Sequence, residues 1–217
     1  MSTLRKIMVR CAVCGKESEQ TIMLSTNQFG ASDLDLRPPN MMRSTMSWWI
    51  QECPHCGVVS SHIDQEDAVS VEWLEDEAYK TCDGIRFGSS LAQRFYRHYL
   101  ICSSKYDRKG AYEAVLHAAW ACDDAKEQTN AILCRQLALS LLDKLLKRPW
   151  VREELYIVKA DLLRRMGEFD QLIETFSETK LSNKLLNQIM KFQIARAKEQ
   201  DDACYTVDDV KNKDSEV

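Results

Sequence analysis

The sequence predicts a mainly α chain that opens with a small β module, and three observations predict it. Two tight cysteine pairs, Cys11 with Cys14 and Cys53 with Cys56, sit among short strand-like runs near the N-terminus. From about Val71 onward apolar residues recur at intervals of three and four, the spacing of one helix face. Short links separate the helical runs, which makes sequential helices pack antiparallel. The implied organisation is a cysteine module at 1–63 with an inserted loop at 26–47, a helical domain at 64–200, and an acidic tail at 201–217 expected to be disordered.

The strand runs are Ile7–Arg10 and Gln20–Ser25 around the first pair, and Trp48–Glu52 and Val58–Ile63 around the second. The pairs read Cys11-Ala12-Val13-Cys14-Gly15 and Cys53-Pro54-His55-Cys56-Gly57. Two such turns can bring four thiolates to the corners of a tetrahedron, with zinc–sulfur bonds of ~2.3 Å. The glycine after each pair suits a left-handed backbone, which a Cβ would strain. Pro54 presets its turn. Two hairpins, each carrying a CxxC at its turn, make a zinc-ribbon-like module with Cys11, Cys14, Cys53 and Cys56 as metal ligands. Four thiolates close the coordination sphere, so one structural Zn2+ is expected rather than a catalytic one. His55 lies inside its knuckle, where a side chain points away from the metal. A thioredoxin-like redox pair is the competing reading, but redox CxxC motifs come singly, at the end of a strand in a βαβ unit.

The chain has nine cysteines, an odd number, and no apolar run follows Arg5 and Lys6, so a secreted disulfide scaffold is the wrong class and a cytoplasmic protein is expected. No stretch approaches the roughly 20 apolar residues of a membrane span. Charge sits unevenly. Residues 201–217 hold six acidic side chains against two basic ones, while the first 62 residues hold six basic against five acidic. That balance lacks the concentrated positive field that phosphate backbones require.

The insert holds Asp33, Asp35 and Arg37, read as a surface loop in which the aspartates cap turns and Arg37 pairs with one of them. It is also the first candidate for recognition, because loops on a rigid scaffold carry function. Beyond it the first helical face is Val71, Leu74, Ala78 and Cys82. Helices follow from Ser90 as N-cap to about Lys105, from Ala111 to Cys122, from Lys126 to Lys147 with Pro149 as the stop, from Val151 to Met166, from Phe169 to about Glu178, and from Ser182 to Glu199. Asp123 and Asp124 are expected to cap the helix after them. Cys82, Cys102, Cys122 and Cys134 are expected in the core, and His62, His98 and His117 are read as isolated, with no nucleophile–base pairing.

Two stretches resemble tetratricopeptide units. The clearer one is Tyr156, Ala160 and Leu163, then Gly167-Glu168-Phe169-Asp170, then Leu172 and Phe176. The fainter one is Tyr99, Ser103 and Tyr106, then Gly110-Ala111-Tyr112, then Val115 and Ala119. Their glycines lie 57 residues apart, well beyond one repeat of about 34, so helical-hairpin packing is expected and not a regular array. With the CxxCG at Cys11–Gly15, Asp33-x-Asp35, Pro38-Pro39, the CPHCG at Cys53–Gly57, and Ala118-Ala119-Trp120 followed by Asp123-Asp124, the chain resembles a bacterial family of unknown function. Its members pair an N-terminal four-cysteine ribbon with a tetratricopeptide-like helical segment. The resemblance covers roughly residues 7–200 and departs at Val58-Val59, where an aromatic is common. It implies an architecture and supplies no mechanism.

Three functions remain open at this stage. A binding module would present the helical hairpins to a protein or peptide. A nucleic-acid-binding ribbon would use Arg5, Lys6, Arg10, Arg37 and Arg43 with Trp48 and Trp49 as stacking surfaces. An enzyme or thiol redox sensor would need an open metal position or a reactive thiolate.

Overall fold

The computed structural model describes residues 2–147 and 152–214. The chain is mainly helical, with two small antiparallel sheets near the N-terminus. Among the described residues no helix is long and apolar enough to cross a membrane. The chain divides into two compact units: Met1–Asn27 with Met41–Cys134, and Gln28–Asn40 with Arg135–Val217. Part of the insert between the cysteine pairs therefore belongs with the C-terminal helices and not with the module that flanks it.

In the first unit β1 (Thr3–Arg10) pairs antiparallel with β2 (Glu17–Ser25), in a register that sets Arg10 opposite Glu17 and Lys6 opposite Thr21. Alternation turns Ile7 and Val9 inward and leaves Lys6 and Met8 in solvent, where Lys6 pairs with Glu19 at 2.7 Å. The second sheet is shorter than the sequence predicts. Trp48 closes a 3-10 turn (Arg43–Trp48), and β3 is only Gln51–Glu52, paired with β4 (Val59–Ser60). The two hairpins are tied by the Ala12 amide, which donates to the Ile63 carbonyl at 2.9 Å, and by Gln20, whose Nε2 donates to the Glu52 carbonyl at 3.0 Å.

The first predicted helix is two short ones, α1 (Val71–Leu74) and α2 (Glu77–Thr81). Asp76 breaks the run, because its carboxylate accepts from the Ala78 amide and starts a new helix. α3 (Ser90–Ser104) is capped by Ser89, one residue earlier than expected, and α4 (Arg108–Asp124) by Asp107. Asp123 and Asp124 occupy the last turn of α4, so neither caps the following helix as expected. α3 and α4 pack against each other, and Ala92, Phe95, Ala111, Ala114, Val115, Ala118 and Cys122 on them are buried.

Apolar and small residues at intervals of three and four on α5 (Gln128–Leu146) are fully buried at Ala131, Cys134, Ala138 and Leu142. The stop expected at Pro149 and the start expected at Val151 lie outside the described residues. The second unit holds α6 (Glu154–Arg165), α7 (Phe169–Phe176), α8 (Lys184–Lys198) and α9 (Val207–Asp214). Its core joins Ile157, Ala160 and Leu163 of α6 to Leu172 and Phe176 of α7, Ile189 and Met190 of α8, and Val210 of α9. Gly167, at φ +79, turns the chain between α6 and α7.

Two expectations about this unit are corrected. The insert is not a surface loop: Leu34 is 1% exposed within that core, and Asp33, Asp35 and Arg37 are buried. Through 214, the tail is not disordered. Leu34 donates to the Tyr205 carbonyl at 3.0 Å and Val207 to the Ser32 carbonyl at 3.0 Å, an antiparallel bridge around Asp33 and Thr206. The buried guanidinium of Arg164 donates to the carbonyls of Asp201 at 3.0 Å and Ala203 at 2.6 Å, and to Asp161 at 2.6 Å. Tyr205 lies under that guanidinium and edge-on to Phe192. An acidic composition signals disorder only where nothing repays the ordering entropy; here the backbone hydrogen bonds to Ser32, Leu34 and Arg164 and the buried Val210 repay it.

Candidate metal centre

Both cysteine turns have the same backbone hydrogen bonds. Gly15 donates to the Cys11 carbonyl and Cys11 to the Lys16 carbonyl, both at 2.9 Å. Gly57 donates to the Cys53 carbonyl and Cys53 to the Val58 carbonyl, again at 2.9 Å. Gly15 and Gly57 have φ of +70 and +74, and a Cβ on Gly57 would meet nothing within 4 Å. Glycine is therefore needed for the left-handed backbone and not for space.

The turns bring the four sulfurs of Cys11, Cys14, Cys53 and Cys56 within 4.8 Å of one another. Cys11 lies 3.8 Å from Cys56 and Cys14 lies 3.7 Å from Cys53. A disulfide would bring them to ~2.05 Å, and all four are free thiols. A cation held tetrahedrally by bonds of ~2.3 Å separates its sulfurs by about 3.8 Å, which matches the two pairs. Among the described residues this is the cluster of His, Cys, Asp or Glu side chains able to hold a metal ion.

The electrostatics suit anionic sulfur on one side and resist it on the other. Burial pushes the Cys11 thiol up against the opposing pull of the Cys14 and Val13 amides, and it pushes Cys56 up further. Cys14 is also raised by burial, but the Lys16 amide and the neighbouring thiols outweigh that and bring it below its ordinary value. A cation entering the cluster has to displace protons from Cys11 and Cys56. His55 takes no part; its Nε2 lies 3.1 Å from the Glu17 carbonyl.

Support comes from helices that the cysteine spacing does not point to. The Tyr79 hydroxyl donates to the Gly57 carbonyl at 2.7 Å. Arg97 pairs with Glu52 at 3.2 Å. His98 donates from Nδ1 to the Val59 carbonyl at 3.2 Å, since a carbonyl can only accept. Cys11, Cys53 and Val58 share an apolar cluster with Leu74, Tyr79 and Ile101. Within this unit the two hairpins are packed against α1, α2 and α3. Sequence reasoning missed these three partners because each lies 22 to 45 residues from the group it contacts.

His98 is also not isolated. Its Nε2 lies 3.6 Å from the sulfur of Cys102, one helical turn along α3. Burial lowers the imidazole and raises the Cys102 thiol to about 12. The pair is neutral imidazole and neutral thiol, which is the opposite of an activated nucleophile. The basic patch suggested for nucleic acid does not assemble in one unit: Arg37 is buried in the second, whereas Arg5, Lys6, Arg10 and Arg43 belong to the first. Trp49 donates its indole N–H to Thr45 and packs edge-on to His117.

No protein-family model matches the chain, and no curated protein or solved structure does either, so the site is characterised by its own geometry. That geometry is a four-cysteine cluster compatible with a structural metal, set at the head of a mostly helical protein.

Proposed function

We propose that Cys11, Cys14, Cys53 and Cys56 bind one structural Zn2+, and that the protein works by binding another protein or a peptide through its C-terminal helices. The observation that carries the first part is the convergence of four sulfurs within 4.8 Å on two matched turns. Zinc suits four thiolates in a closed tetrahedron, with no position left for water or substrate. The metal would hold together two hairpins too small to bury enough apolar surface alone.

The second part is supported by the tetratricopeptide-like order of α6, the Gly167-Glu168-Phe169-Asp170 turn and α7, and by a cavity of about 440 Å³ beside α7 and α8. Phe176, Leu181, Met190 and Ile194 supply its apolar lining, and Lys180 and Lys191 line it against the single acid Glu178. That combination fits an apolar peptide side chain with a carboxylate close by.

Protein purified without added metal should contain one zinc per chain by elemental analysis, and a chelator should expose four further thiols. Iron in place of zinc, or no metal, sinks the first part. For the second, a protein recovered with the native chain should be lost when Ile194→Glu and Lys191→Glu are introduced together; retention would show that the helices are not the docking face.

A further inference from the structure

The two cysteine turns bracket a 38-residue stretch, Gly15–Glu52, and the middle of that stretch is built into the second unit. Residues 28–40 leave the first unit after Asn27 and return to it at Met41. At their centre Leu34 is buried among Ile157, Leu163 and Val210. Ser32 and Leu34 are bonded through their backbones to Val207 and Tyr205, and Asp33 accepts from the thiol of Cys204 at 3.4 Å. Asp35 faces Arg165 at 4.0 Å. The 201–207 segment is in turn held by the Arg164 guanidinium.

We infer that metal occupancy of the four-cysteine cluster controls how tightly the 32–37 segment is latched to the 201–207 segment, so that the metal centre regulates the order of the C-terminal unit. This rests on the metal reading above. A bound cation fixes both ends of the stretch, because Cys14 and Cys53 become ligands of one ion. The segment then docks from a closed loop. Without the cation the ends of the stretch are held by the β1–β2 pairing, the links between the hairpins and their packing on the helices, so they separate more freely and docking must bear closure entropy that the metal otherwise offsets. The coupling is reciprocal: whatever opens the latch must loosen the metal by the same factor.

The amides of Leu34 and Val207 report the latch directly, since each donates across it. The experiment is hydrogen exchange on the full-length protein, metal-loaded and after chelation, with metal content measured on the same samples. Exchange at Leu34 and Val207 should rise at least tenfold on chelation, while the α4 amides of Val115 and Ala118 stay slow. In parallel, Leu34→Ala should release its metal to a chromophoric chelator at least tenfold faster than the native chain. Metal present, with Leu34 and Val207 unchanged by its removal, overturns the inference and leaves the metal reading standing. So does α4 exchange that rises as much as the latch, because the metal would then hold the whole first unit. A native release rate from Leu34→Ala counts against it equally. Protein that contains no metal overturns both.

Discussion

The hydroxyl of Tyr79 donates to the carbonyl of Gly57, so a tyrosine on α2 holds the residue that closes the second cysteine turn. Tyr79→Phe removes the donor and leaves a carbonyl beside the cluster without it. The loss should be about 1–2 kcal/mol of unfolding free energy, with faster release of metal to a chelator. Equilibrium denaturation read by tryptophan fluorescence checks the first, and chelator kinetics the second. Wild-type values in both would mean that the knuckle stands without α2.

Gly57→Ala should destabilise through the backbone alone. The position has φ +74 and open space around it, so no clash is created. The left-handed conformation of an L-residue costs about 1–2 kcal/mol. The denaturation midpoint should fall with the slope unchanged, and metal stoichiometry should stay the same. A larger loss, with loss of metal, would show that the turn tolerates no adjustment.

Cys53→Ser removes one of the four proposed ligands and leaves the backbone turn in place. Its effect on metal affinity should exceed the ~10–100-fold that follows loss of an outer hydrogen bond. Acidification should act on the intact site in the same direction. Burial raises Cys11 and Cys56, so protons should compete with the proposed metal for those sulfurs and displace it as pH falls. Metal content after dialysis between pH 8 and pH 5 checks this; constant occupancy across that range would contradict it.

Asp161 carries an unusual pH dependence. Full burial raises its carboxyl to about 6 despite the ion pair with Arg164, and the nearby Asp35 adds to the rise. The folded state therefore holds this proton more tightly than the unfolded chain does. The stability from this group is complete below about 4 and is lost as pH rises through about 6. Asp161→Asn has no proton to bind or release over this range. The stability of the native chain relative to the variant should decline from pH 4 to pH 7, measured by denaturant unfolding at each pH. A relative stability that climbs over that range would mean that the Arg164 pair dominates.

Leu34→Ala should cost about 2–5 kcal/mol in the C-terminal unit, because a fully buried leucine is truncated. Thermal unfolding followed by circular dichroism is the check. A change below 0.5 kcal/mol, the range of ordinary surface substitutions, would return the insert to the surface.

The cysteine cluster was legible in the sequence because it depends on local turns: four residues and a glycine determine each knuckle wherever the rest of the chain lies. The helices from α3 to α8 were legible for a similar reason, since a three-four period is local information. The insert and the tail were not. Asp33, Asp35 and Arg37 have the composition of a turn-rich loop, and nothing near them in sequence says that Arg165 and Cys204 will meet them. The acidic 201–214 stretch likewise looked solvated, and only the buried Arg164 and the open edge at Ser32–Leu34 explain its order. The break between α1 and α2 was written locally, in Asp76, but the apolar period across it masked the capping signal.

The latch also has a history during synthesis. Cys204 follows Asp33 by 171 residues. At 5–20 residues per second, the ribosome needs roughly 10–35 s to deliver one after the other. All four cysteines have emerged by residue 56, so the knuckles can close early. Leu34 then waits, apolar and unmatched, until Ile157, Leu163 and later the residues around Val210 have followed it. The newborn chain thus exposes one apolar residue at a known position, and its cover comes only from helices made long after it.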